Sequence, residues 1–99
     1  MSRWAKATSI PAAAKRKVEE RDNHCCIFCG QRGRGEAHFI PRSKGGKGIE
    51  ENLLTVCRTC HVQLDNPMNK HMHNYARAYL KQHYQGWDGS KLVYRKYED

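Results

Sequence analysis

The stretch that decides the fold is H-C-C-I-F-C-G, residues 24–30, once it is set beside V-C-R-T-C-H at residues 56–61. Each contains a C-x-x-C pair, Cys26 with Cys29 and Cys57 with Cys60. One such pair is a weak signal. Two in a small chain supply four thiolates, the closed tetrahedral set of a structural zinc site. Two disulfides or a redox C-x-x-C would use the same residues, but a redox motif is expected at a helix start in a βαβ unit, and none is legible. Cys25 could replace Cys26 only as C-x-x-x-C, which fits a knuckle less well, so it reads as a small buried residue or a free thiol. Four thiolates leave no open position, so this zinc would hold the chain together and perform no chemistry.

A staple of this kind suits the composition. The chain has 99 residues, 38% of them hydrophobic, and a mean hydropathy of -0.92. That describes one small domain with little apolar surface to bury, where a metal or disulfides supplement the core. Eighteen Lys plus Arg against ten Asp plus Glu give a net charge of +8, which favours a polyanionic partner. No apolar run approaches the roughly 18 residues of a membrane span, and MSRWAKATSIPAAAK lacks the apolar core of a signal peptide. The expectation is a cytoplasmic protein with reduced thiols, without membrane contact, and this favours metal over disulfide.

Outward from the knuckles, residues 1–10 read as a loose basic arm. Pro11 suits the first turn of a helix that runs through AAAKRKVEERD and ends near Arg21–Asn23. A turn, QRGRG, leads to a short strand, EAHFI, and then to the loop PRSKGGKGIEEN. LLTV reads as a second strand, though a buried helix start would look similar. A helix from about Arg58 should stop before Pro67. From Met68 to Tyr84, Met72, Tyr75, Ala76, Tyr79, Leu80 and His83 share one face of an amphipathic helix, followed by a turn at Asp88-Gly89 and the strand-like KLVY. The divisions are therefore a basic arm at 1–10, a zinc-knuckle domain at 11–67 and a C-terminal helical extension at 68–99.

Between and after the knuckles lie His38, Asn52 and His61. Each has an ordinary explanation alone: a half-buried strand histidine, a turn asparagine, a surface helix histidine. Together, the pattern RDNHCCIFCG … EAHFIPRSKGG … ENLLTVCRTCH resembles the HNH endonucleases, in the branch with a four-cysteine zinc frame. The likeness runs from about Arg21 to Asp65, and the C-terminal segment looks like the tails of small phage and prophage members. It implies an α+β fold, the ββα-metal (His-Me finger) unit, flanked here by an N-terminal helix and by a C-terminal helix plus short strand. It also implies one catalytic divalent ion between strands and helix. By position, His38 would be the general base, Asn52 would orient its imidazole through the side-chain amide, and His61 would bind the catalytic metal. A neutral imidazole takes a proton from water near neutral pH, and a metal stabilises charge on the phosphate and leaving oxygen.

The chain departs from this pattern at Ala37. Many members of the family have Asp or His there as a further metal ligand, and alanine coordinates nothing. His61 and Asp65 are four apart on one helical face, so Asp65 is the expected replacement, as in the nuclease colicins. An Asx turn or a surface carboxylate is the alternative for Asp65. Glu36 shares the strand face of His38 but has no role in the family. A His/Asp site with water ligands accepts Mg²⁺, Mn²⁺, Co²⁺, Ni²⁺ or Zn²⁺. Arg42, Lys44 and Lys47 in the glycine-rich loop, with Arg58, are the expected phosphate contacts, and Arg32 and Arg34 extend the patch. The aromatics from Tyr75 to Tyr97 read as core packing.

The resemblance implies a metal-dependent endonuclease that nicks or cuts double-stranded DNA, as a monomer or weak dimer. A phage origin would place it in a bacterial host cell beside the terminase and other packaging proteins. The alternatives are a zinc-stabilised DNA-binding module that has lost catalysis with the ligand at Ala37, and a packaging accessory protein.

Overall fold

The computed structural model describes residues 2–95; Tyr97, named among the aromatics, lies outside them. The polypeptide forms α1 (Arg3–Thr8), α2 (Ala12–Arg21), β1 (Arg34–His38), β2 (Leu53–Val56), α3 (Arg58–Leu64) and α4 (Lys70–His83), with short 3₁₀ turns at Arg42–Lys44, Glu50–Asn52 and Gly89–Leu92. Residues 2–10 are therefore not a loose arm. The Ser2 side chain accepts from the Ala5 N–H at 3.1 Å and caps α1, and Thr8 at its end is fully buried. Ile10 and Pro11 separate α1 from α2, because proline disfavours helical backbone in the residue before it. After α2 the chain leaves the helix through Asn23 and His24, both left-handed (φ 56° and 59°).

β1 and β2 pair antiparallel, with Ala37 opposite Leu54 and His38 opposite Leu53; the register shifts between Arg34 and Ala37. β1 alternates, with Glu36 exposed, Ala37 fully buried and His38 half-buried. That alternation turns His38 outward and gives position 37 to the core. β2 is buried along its whole length, between α2 on one side and the cluster of Ala37, Phe39, Leu64, Met72, Ala76 and Leu80. In α4, Met72, Ala76 and Leu80 turn inward at the 3.6-residue period read from the sequence. Tyr75 of the same stripe stays 50% exposed, its ring tilted against Phe28 with centroids 5.4 Å apart.

A charged network ties the layers together. The Arg21 guanidinium donates to both carboxylate oxygens of Asp22 at 2.7 and 2.8 Å, to the Leu53 carbonyl at 2.8 Å and to the Tyr84 hydroxyl at 2.9 Å. Asp22, 6% exposed, also accepts from the Thr55 N–H at 3.0 Å and from the Tyr79 hydroxyl. Burial would raise the Asp22 carboxyl, but Arg21, Tyr79 and Thr55 outweigh it and hold it below the ordinary carboxylate range. The C-terminal stretch is less regular than its strand-like sequence: Gly89–Leu92 make a 3₁₀ turn, and Val93 pairs as a single bridge with Gly46. Among the described residues, no helix is long and apolar enough to cross a membrane.

Candidate active site and metal centre

The knuckles bring Cys26, Cys29, Cys57 and Cys60 together, with all four Sγ atoms within 4.8 Å of one another. Tetrahedral Zn–S bonds of about 2.3 Å place sulfurs about 3.8 Å apart, so the set can close on one ion with small side-chain rotations. Cys25 stands outside it, in a bridge to Arg32. Local backbone builds the frame: Cys57 caps α3, its sulfur accepting from the Cys60 N–H at 3.4 Å, and Gly30 turns left-handed after the first pair. Burial would raise the Cys26 thiol, but backbone N–H groups of Cys57, Cys29 and Phe28 bring it down to about 7. Cys60 is pushed up, by burial and then by its three sulfur neighbours.

His38 stands at the end of β1, and its Nε2 lies 3.0 Å from the carbonyl oxygen of Thr8 at the end of α1. A carbonyl only accepts, so Nε2 carries the proton and neutral His38 keeps Nδ1 as its free base. Burial pushes the imidazole below its ordinary value; the Thr8 carbonyl opposes, and the charge of Arg42 adds to the lowering. Thr8 is thirty residues distant in sequence. Nothing in the composition of SRWAKATS points to His38, and sequence reasoning missed this contact.

Asn52 is fully buried, and it does a different job from the one read in the sequence. Its amide nitrogen donates to the carbonyls of Ile40 (3.2 Å) and Lys47 (2.8 Å), and its Oδ1 accepts from the Ile40 N–H (2.8 Å). Both amide hydrogens are thus committed to the backbone of the loop after His38, leaving none for the imidazole. The same loop is fastened by close backbone approach. A Cβ at Gly46 would lie 1.6 Å from the Ile40 oxygen, and the Gly48 N–H donates to Ala7 at 3.0 Å. The glycines serve the loop's own packing.

His61 and Asp65 point together from α3, with Nε2 and Oδ2 3.7 Å apart. Ligands of one ion at about 2.1 Å are separated by roughly 3 to 4.2 Å, from adjacent to opposite positions, so the pair fits a shared cation. The Asx turn toward Pro67 is made by the neighbouring Asn66, whose Oδ1 accepts from the Met68 N–H at 3.0 Å. His38 and His61 line one cleft of about 470 Å³ with Arg42, Lys15 and Glu36. His38 and Asp65 line a second, of about 690 Å³, with Lys44, His73 and Arg77. Glu36 is paired to Lys15 at 3.0 Å.

Of the four cations read as phosphate contacts, Arg42 and Lys44 flank His38 in these two clefts. Arg58 lies beside His61 in a third. Lys47 is turned away, its Nζ donating to the Lys91 carbonyl at 3.2 Å. Arg42 also reaches back to α1, with its Nε 3.3 Å from the Thr8 hydroxyl and its guanidinium over the Trp4 ring.

Residues 26–76, which contain the four cysteines, His38, Asn52, His61 and Asp65, match the family model described as HNH endonuclease. The chain belongs to the HNH endonuclease family. The expected ββα arrangement with a four-cysteine cluster is what the structure contains. This HNH chain is also 30% identical to Anaredoxin of Nostoc sp. over 53 residues, 50% of its own length and 68% of that protein. No solved structure matches it. α1 and α2 lie before the matched segment, so the carbonyl on His38 comes from outside it.

Proposed function

We propose that this HNH protein is a metal-dependent DNA endonuclease that hydrolyses phosphodiester bonds in duplex DNA, with a structural zinc on Cys26, Cys29, Cys57 and Cys60. The observation that carries this reading is the convergence of His38, His61 and Asp65, from β1 and α3, on adjoining clefts. His38 accepts a proton from the attacking water at Nδ1 while the Thr8 carbonyl holds Nε2–H. Its lowered pKa keeps it a base into mildly acidic solution. Asn52 fixes the loop that carries Arg42 and Lys44, and those cations hold the phosphates flanking the scissile bond. His61 and Asp65 would hold the catalytic divalent ion, which when bound stabilises charge on the phosphate and the leaving oxygen. One site per chain makes nicking the expected outcome.

Plasmid nicking by purified protein, metal by metal, tests this. His38→Ala should lose about 10²- to 10⁴-fold in rate while remaining folded, and Asp65→Ala should lower metal affinity, so that a higher metal concentration is needed for half-maximal rate. Protein that binds DNA but never nicks it with Mg²⁺, Mn²⁺, Co²⁺, Ni²⁺ or Zn²⁺ would sink the enzyme reading. That result would favour a zinc-stabilised DNA-binding module, a reading supported by Ala37, which is fully buried in the core and offers no ligand. A link to phage packaging rests only on the sequence likeness of the C-terminal segment, and co-purification with terminase proteins would test it.

A further inference from the structure

We propose that a third cleft, of about 520 Å³ and lined by Arg32, Arg34, Arg58 and His61, is the track by which the phosphate backbone of duplex DNA reaches the His38 site. It deepens the endonuclease reading and rests on it for the direction of the track. Three exposed guanidiniums converge on this cleft from the first knuckle, β1 and the start of α3. Among the described residues, none of the three makes an ion pair or a side-chain hydrogen bond. The one carboxylate in the lining, Glu36, is occupied by Lys15 at 3.0 Å. Like charges gathered without internal partners repel one another, and a polyanion relieves that repulsion with release of counterions.

The lining also selects the ligand class. It holds no Phe, Tyr or Trp, so it lacks the stacking platform on which single strands are bound by their bases. Charge alone, on a rigid wall, suits the sequence-independent phosphates of a duplex. The wall is rigid because its two sides touch. A Cβ at Gly33 would lie 2.7 Å from the Val56 carbonyl group, and the Gly33 N–H donates to His24 at 3.1 Å. The cleft ends at His61, and the neighbouring cleft shares His61 and Glu36 with His38. A backbone lying along the arginines therefore leads to the proposed base.

The test is fluorescence anisotropy with the full-length, zinc-loaded protein in a His38→Ala background, over a salt series, on a short duplex and on one of its strands. Arg32→Gln/Arg34→Gln should weaken duplex binding about ten-fold or more and lower the salt slope by about 0.9 per arginine. Lys70→Gln/Lys81→Gln removes the same charge from α4, outside the cleft, and should change binding less. An unchanged slope in the arginine variant, or an equal loss in the lysine control, would overturn the track. Single strand bound as tightly as duplex, and losing as much with the arginines, would overturn the duplex assignment. Because the background cannot cut, these outcomes do not depend on whether wild type nicks plasmid. Failure of that reading would show only in the nicking assay.

Discussion

Among the described residues, the four-cysteine cluster and the group of His38, His61 and Asp65 are built in opposite ways. The four cysteines come from two short motifs, sit on tight local turns and close on one another within 4.8 Å. The His38 site is assembled from the end of α1, β1, the loop after it and α3, and it opens onto clefts of about 470 and 690 Å³. A closed set of thiols suits an ion that stays and fixes the fold. An open set with few protein donors suits an ion that must share its coordination with substrate.

The largest effect that would test this contrast is loss of the frame. Cys57→Ala, or removal of metal from the wild type by a chelator, should abolish cooperative unfolding, because binding of a structural zinc supplies on the order of 10 kcal/mol of folding free energy. Circular dichroism with a metal assay checks it. Well-folded protein without metal would remove the distinction between a holding site and a working one. An S₄ set also suits iron, and the same assay identifies the ion.

The Arg21–Asp22 network is the non-metal counterpart of the frame, joining α2, β2 and α4. Asp22→Ala leaves the Arg21 guanidinium buried without its carboxylate and should cost about 3–5 kcal/mol in urea denaturation. The pH dependence has a definite sign. The Asp22 carboxyl is lower in the folded protein than in the unfolded chain, so its contribution is fully present above the ordinary carboxylate value. It should fade as pH falls through the folded value, and Asp22→Ala should flatten that limb. A wild-type acid limb retained in the variant would show that other groups carry it.

The smallest effect separates two jobs for Asn52. Asn52→Ala leaves the polar backbone groups of Ile40 and Lys47 without partners, at about 1–3 kcal/mol for each group left buried and unpaired. Hydrogen exchange should quicken across residues 40–48, while the titration of His38 followed by NMR moves little. A large shift of the imidazole with an unchanged loop would restore the role read from the sequence, that of orienting His38.

Much of the frame was legible because it is local. C-x-x-C spacing fixes which sulfurs can meet, period 2 places His38 on the open face of β1, and period 3.6 places His61 beside Asp65. Residue type alone excluded Ala37 as a ligand; only the strand pairing revealed that its position faces the core, opposite Leu54. What failed depended on contacts across many residues. A basic, unpatterned segment gave no sign that Thr8 would be buried against His38. The glycine-rich loop, read for its cations, proved to be tied down by Asn52, Gly46 and Gly48, with Lys47 turned to the Lys91 carbonyl.

By itself the sequence determined the four clustered cysteines, the family, and the residue types available for acid–base and metal chemistry, because these depend on identity and short spacing. The tertiary structure alone decided which nitrogen of His38 is free, where the amide of Asn52 is spent, and which cations converge on the clefts. Hydrogen-bond partners and burial are set by elements far apart in the chain, and no local pattern encodes which of them will meet.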